Sequence, residues 1–181
     1  MFRCKSSGSA PIYRSTVHSM APESTDVSAY TRHLLTGAAI DEIRAHSTQM
    51  WLRFLSDRLV SGKLVYIDLV FGCPAYVVDA KGHAAFGKID FFEQRALFLA
   101  DAYKCIGREV VDANVSEGGG LVIDEDNGRE LILRPSDGDL ADDDWVWRLS
   151  VDAQQGDMAD LWDVYCVSRG GTFEVMLHSR S

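Results

Sequence analysis

Apolar residues in this chain fall in short runs bounded by turn residues rather than in long helical stripes. Short β-branched and aromatic stretches of this kind are the mark of half-buried strands. Strands are expected over Ala39–Ile43, Met50–Leu55, Lys63–Phe71, Ala75–Val78, Glu109–Asn114, Leu121–Asp124, Glu130–Arg134, Trp145–Val151, Leu161–Val167 and Thr172–His178. Ser61-Gly62 marks one turn, and Gly170-Gly171 marks a C-terminal hairpin. Asn127-Gly128 lies between two apolar runs and predicts a tight type I′ hairpin, because both residues tolerate positive φ. Tyr30–Leu35 reads as a short helix or an extended lead-in. From Ile89 to Tyr103 the alternation stops, and Glu93, Gln94, Ala96 and Ala100 favour one helix packed by its aromatic face on a sheet.

The two halves follow one order. The first reads Gly37-x-x-Ile40, Leu52-x-Phe54, then Gly62-Lys63-x-Val65-x-Ile67. The second reads Gly107-x-x-Val110, Leu121-x-Ile123, then Gly128-Arg129-x-Leu131-x-Leu133. The expected fold class is therefore α+β, mainly β. Two related antiparallel strand-rich units, about 35–80 and 105–155, share a core, with one connecting helix around 90–103. This pattern, completed by Trp145-Val-Trp147-x-Leu149, resembles a group of small bacterial domains of unknown function. It is also similar to patterns among immunity proteins that neutralise toxins of competing bacteria. The shared motifs are structural, so the resemblance implies a binding role and transfers no active-site residue.

At 181 residues, 46% hydrophobic and 25% charged, the chain has enough apolar side chain for a core without disulfides or metal. No apolar run reaches the roughly 20 residues of a membrane-spanning helix, so no membrane association is expected. Residues 1–29 are Ser-rich, with Pro11 and Pro22, and read as a disordered leader; 30–181 form the globular part. Cys4, Cys73, Cys105 and Cys166 are scattered, which fits free thiols in a reducing cytoplasm.

Charge changes the picture more. Residues 1–100 hold 11 basic and 9 acidic side chains, whereas residues 101–160 hold 5 and 16. That second half repels nucleic acid and attracts a basic protein.

Candidate chemistry is thin. Asp137-Gly-Asp139 with Asp142–Asp144, and Asp124-Glu125-Asp126-Asn127-Gly128, lack the spacing and closing glutamate of a calcium loop. The histidines, at 18, 33, 46, 83 and 178, have no metal-pair spacing, and no nucleophile elbow or Walker loop is present. Gly118-Gly119-Gly120 reads as a flexible turn. Cys105 or Cys73 with His83 is the remaining route to an enzyme, set against buried structural thiols. Trp145 and Trp147, two apart, are expected to share one sheet face beside Asp142, Asp143 and Asp144. That is the composition of a binding hot spot, weighed equally against burial of both in the core.

The expectation is an intracellular, non-enzymatic binding protein that needs no cofactor or metal, an immunity-type inhibitor of a basic toxin. Its contacts would be Asp142, Asp143, Asp144, Trp145 and Trp147, with Asp124 and Asp126 next. The alternatives are a self-associating domain forming a homodimer and a cysteine-dependent enzyme.

Overall fold

A computed structural model describes residues 26–60, 63–79, 91–140, 145–151 and 162–179. The fold is α+β and mainly β, with two antiparallel sheets and two α-helices among these residues.

Helix α1 spans Val27–Leu35, starting three residues before the expected globular boundary. Asp26 caps it, its carboxylate accepting from Ala29 N–H at 3.1 Å. The strands that follow are β1 (Ala38–Ala45), β2 (Met50–Val60), β3 (Lys63–Phe71) and β4 (Ala75–Val78). Helix α2 (Phe91–Ala102) runs into a 3-10 turn at Tyr103–Cys105, then come β5 (Val110–Val115), β6 (Leu121–Glu125) and β7 (Glu130–Leu133). After a second 3-10 turn at Asp137–Leu140 come β8 (Trp145–Val151), β9 (Trp162–Arg169) and β10 (Thr172–Ser179).

The larger sheet has the order β1-β2-β3-β8-β9-β10 and the smaller one β4-β7-β6-β5. Each half therefore builds a three-strand meander and sends its fourth strand across. β4 pairs with β7, the last strand of the other meander, and β8 pairs with β3. The exchange is reciprocal down to single hydrogen bonds. Gly37 N–H donates to Val110 O and Gly107 N–H to Ile40 O, both at 2.9 Å. Gly72 N–H donates to Val146 O at 3.1 Å, and Arg134 N–H to Pro74 O at 2.9 Å. Gly37 and Gly107 both have positive φ, 83° and 74°, which only glycine adopts freely. Each first strand then carries a bulge at the same place, between Ile40 and Glu42 and between Val110 and Asp112.

The glycine-to-bulge correspondence of the two halves is thus the one the sequence suggests, but the hairpins correspond differently. Leu52 pairs with Ile43 and Leu69, whereas Ile123 pairs with Ala113 and Leu131. Leu52 therefore matches Ile123 rather than Leu121, and Leu69 matches Leu131 in place of Val65. Both slips are even, so every side chain keeps its face and the apolar pattern looks the same. The cause is length: β2 has 11 residues where β6 has 5.

One core lies between the sheets. Leu52, Phe54, Ile67, Leu69 and Phe71 from the larger sheet join Ile123, Leu131 and Leu133 from the smaller, all nearly inaccessible to water. Removal of such side chains from water is the main stabilising term of the fold. α1 covers the β5 edge of the smaller sheet, with Ser28 Oγ donating to Val115 O and accepting from Val115 N. α2 buries Phe98 edge-on against Phe71 at 5.6 Å. Arg95 on α2 donates to the carbonyls of His46, Ser47 and Gln49 in the β1–β2 turn. The aromatic face expected on this helix is divided, since Phe92 and Tyr103 are exposed.

Candidate partner-binding face

Alternation along the smaller sheet sends Ala113, Leu121, Ile123, Leu131, Leu133, Ala75 and Val77 into the core. The intervening residues form its outer face. Direct cross-strand pairing places Asp112 beside Asp124, Asp124 beside Glu130 and Glu130 beside Val78. The next row reads Asn114, Val122, Ile132, Tyr76 in the same strand order. Three carboxylates thus stand in line across β5, β6 and β7, next to a row of half-buried apolar side chains.

Like charges on directly opposed strand positions destabilise a sheet. Only one end of the row is neutralised: Arg32 of α1 donates to Asp112 and to Asn114. The Arg32 and Asn114 hydrogen bonds hold the Asp112 carboxyl below its ordinary range. Asp124 shifts the other way, raised by burial and then by the charge of Asp112. Among the described residues, Asp124, Asp126 and Glu130 have no ion-pair partner. Asp126 is exposed in the turn just beyond the row.

Asp124 thus stands in the row, Asp126 lies in the turn that follows it, and Asp112 and Glu130 are members that sequence reasoning missed. The turn explains the omission. Gly128 N–H donates to Glu125 O and Glu125 N–H to Arg129 O, which is a three-residue loop closed by a glycine bulge instead of the tight two-residue turn expected. A two-residue turn would pair Asp124 with Leu131; the extra residue slides the register by one and sets Asp124 against Glu130.

The tryptophan expectation is corrected. A bulge between Trp145 and Trp147 sets Trp145 opposite Val167 and Trp147 opposite Cys166. Val167 and Cys166 are consecutive and face opposite ways, so the two tryptophans lie on opposite faces. Trp147 is fully buried, with its indole N–H donating to Gly119 O at 2.6 Å, and leaves the set of contact residues. Trp145 is half-buried. Asp142, Asp143 and Asp144 lie outside the described residues. Asp139 uses its carboxylate on its own 3-10 turn, accepting from Ser136 N and Oγ.

Other chemistry is sparse. Among the described residues no group of His, Cys, Asp and Glu is placed to hold a metal ion. The crevices between α2 and β4 have room for water but not for a substrate-sized molecule. Cys73, Cys105 and Cys166 are buried, and burial pushes Cys105 and Cys166 up to about 12 and Cys73 higher still. His83, the proposed partner of a thiol, lies outside the described residues. No described helix is long and apolar enough to cross a membrane.

The outer face of the larger sheet carries a second ladder, unread in the sequence. Arg53 pairs with Asp68 through two bonds of 2.8 and 3.0 Å, and Arg44 pairs with Glu42. Both guanidinium groups lie over Trp51, and Arg53 also lies over Tyr66. These charges are matched internally, unlike those of the carboxylate row. Compared with known families, curated proteins and solved structures, the chain has no match.

Proposed function

We propose that this chain is a protein-binding domain that receives a basic partner on the outer face of its smaller sheet. The observation that carries the reading is the aligned row Asp112–Asp124–Glu130, two of whose members lack a cation among the described residues. A row of this kind costs stability in the free protein, and a cationic partner removes that cost on binding. The neighbouring Val122, Ile132 and Tyr76 supply apolar contact area, so charge steers the encounter and the apolar row is buried in the complex.

The finer form of the proposal is an immunity-type inhibitor of a basic bacterial toxin. It rests on the acidic second half and on the resemblance carried by the repeated pattern. Buried, protonated thiols and water-sized crevices favour binding over catalysis. Capture from the native organism at low and moderate salt, followed by mass spectrometry, tests it. One basic protein held at low salt and weakened by salt supports the proposal. Recovery of this chain alone discards it in favour of self-association.

A further inference from the structure

The two sheets have four outer strands, and three of these edges are blunted by ordinary means. β5 carries a bulge and is covered by α1. β4 is four residues long and lies against α2. β1 has a bulge between Ile40 and Glu42, and its start is bridged to Glu109 and Ile106 of the second unit. The fourth edge, β10, has none of these devices. It runs for eight residues without proline or lysine, and its register with β9 is unbroken. No described strand pairs with its far side. α1 comes close to β10, yet Phe173, Val175, Met176 and Leu177 stay only half-buried.

The turn before β10 fixes which of its backbone groups point outward. Gly170 and Gly171 have φ of 58° and 80°, a two-residue type I′ loop whose flanking pair, Arg169 and Thr172, exchanges hydrogen bonds. Bonded and non-bonded pairs alternate along an antiparallel ladder. Thr172, Glu174, Met176 and His178 therefore bond to β9, and the N–H and C=O groups of Phe173, Val175 and Leu177 point away from it. The side chains of these three face the core, Val175 opposite the buried Cys166 and Leu177 opposite the buried Val164. Met176 lies on the outer face, at the end of the row Trp51–Val70–Arg148–Tyr165–Met176, with Glu174 and His178 on either side of it.

We propose that β10 pairs antiparallel with β10 of a second copy of this chain, continuing the larger sheet across a two-fold axis at Met176. A pairing that keeps core-facing side chains on one side can slip only by even steps. The register centred on Met176 sets Val175 opposite Leu177 of the second copy, and each such pair exchanges two backbone hydrogen bonds. It also sets Glu174 opposite His178 of the second copy on both sides of the axis. Glu174 is 3.8 Å from Arg169 and gains a second basic neighbour there. The next even register toward the turn sets Glu174 opposite Met176 and loses that match. Charge complementarity of the strand with itself thus selects a second copy over a foreign strand. The half-buried Phe173, Val175 and Leu177 are covered by their counterparts, which stabilises the pairing. An interface built on one strand is small, so dissociation in the micromolar range is expected. The proposal does not rest on the partner-binding reading.

Sedimentation of the purified full chain from about 1 to about 100 µM tests it with no other protein present. The average mass should rise toward twice that of the chain. Met176→Lys sets two cations face to face at the axis and should raise the concentration needed by about tenfold or more, with circular dichroism to verify folding. Oxidation with glutathione disulfide tests the register. Met176→Cys should form a disulfide-linked dimer, because residue 176 meets its own copy. Glu174→Cys should not, because its copy lies four residues along the strand, about 13 Å away, beyond the reach of a disulfide. The wild type is the blank for the native cysteines. A wild-type chain that stays monomeric throughout overturns the inference and leaves the edge to a strand of another protein. A dimer unaffected by Met176→Lys, or equal cross-linking of the two cysteine variants, overturns it as well.

Discussion

Gly119→Ala is expected to be among the most damaging single substitutions in the chain, although it adds one methyl group. Gly119 has φ of 72°, which costs a residue with a Cβ about 1–2 kcal/mol. An added Cβ would stand 2.7 Å from Cys166 Sγ and 2.8 Å from Phe173 Cβ, both fixed by β9 and β10. Overpacking at such a point costs about 1–3 kcal/mol more. The Gly119 carbonyl accepts the buried indole N–H of Trp147, and any shift that relieves the clash weakens that bond, at about 1–3 kcal/mol. Added, these reach about 3–8 kcal/mol; because relieving the clash is what weakens the bond, the last two overlap and the expected loss is about 3–6 kcal/mol, a large part of the stability of a domain this size. Urea denaturation followed by tryptophan fluorescence measures it. Gly118→Ala is the control, since nothing lies within 4 Å of its added Cβ and its φ is not positive. That variant should stay within about 0.5 kcal/mol of wild type. Equal stability of the two variants would refute the account of this turn.

Trp147→Phe should cost about 2–4 kcal/mol, combining lost volume with an orphaned Gly119 carbonyl, as measured by the same denaturation. Arg53→Ala leaves the mostly buried Asp68 unpaired and should lower stability by about 2 kcal/mol, a figure below the range for fully buried pairs because a fifth of the arginine side chain is exposed. Asp124→Asn should raise stability by a few tenths to about 1 kcal/mol at neutral pH. Because the folded-state pKa of Asp124 is raised, that advantage should vanish below the carboxylate range and grow as pH rises through it, which a pH series of melting temperatures checks. Cys73 and Cys166 should resist alkylation near neutral pH in the folded protein and react fully in denaturant.

Strand positions were legible because alternation and turn residues act locally: Lys63–Phe71, Ala75–Val78 and Trp145–Val151 are strands over the full ranges expected. The reciprocal exchange of β4 and β8 was not legible, since cross-sheet pairing depends on contacts far apart in the chain. Bulges account for the remaining errors. The one between Trp145 and Trp147 reverses a face assignment, and the glycine bulge at Gly128 moves Asp124 from an apolar neighbour to an acidic one. Gly118–Gly120 read as a flexible turn, yet Ser116 ties it by bonds to Gly119 and Gly120 and Trp147 anchors its carbonyl. Nothing in the sequence marks Gly119 as different from Gly118; its positive φ, the Trp147 bond to its carbonyl and the packing of β9 and β10 do. Of the expected contact residues, Asp124 lies on the outer face of the smaller sheet and Asp126 in the loop just beyond it, whereas Trp147 was removed by burial.

The central claim is that the carboxylate row receives a basic protein, and charge reversal in the row, set against a reversal of equal size elsewhere, tests it most directly. Asp124→Lys/Glu130→Lys is compared with Glu117→Lys/Glu174→Lys, which makes the same charge change at exposed residues away from the row. Each is used as bait at low salt beside the wild type, with circular dichroism to verify folding. The account predicts that the basic partner is lost with the first pair and retained with the second. Equal retention by both pairs, or equal loss, would contradict it, because the partner would then ignore the row or sense only total charge.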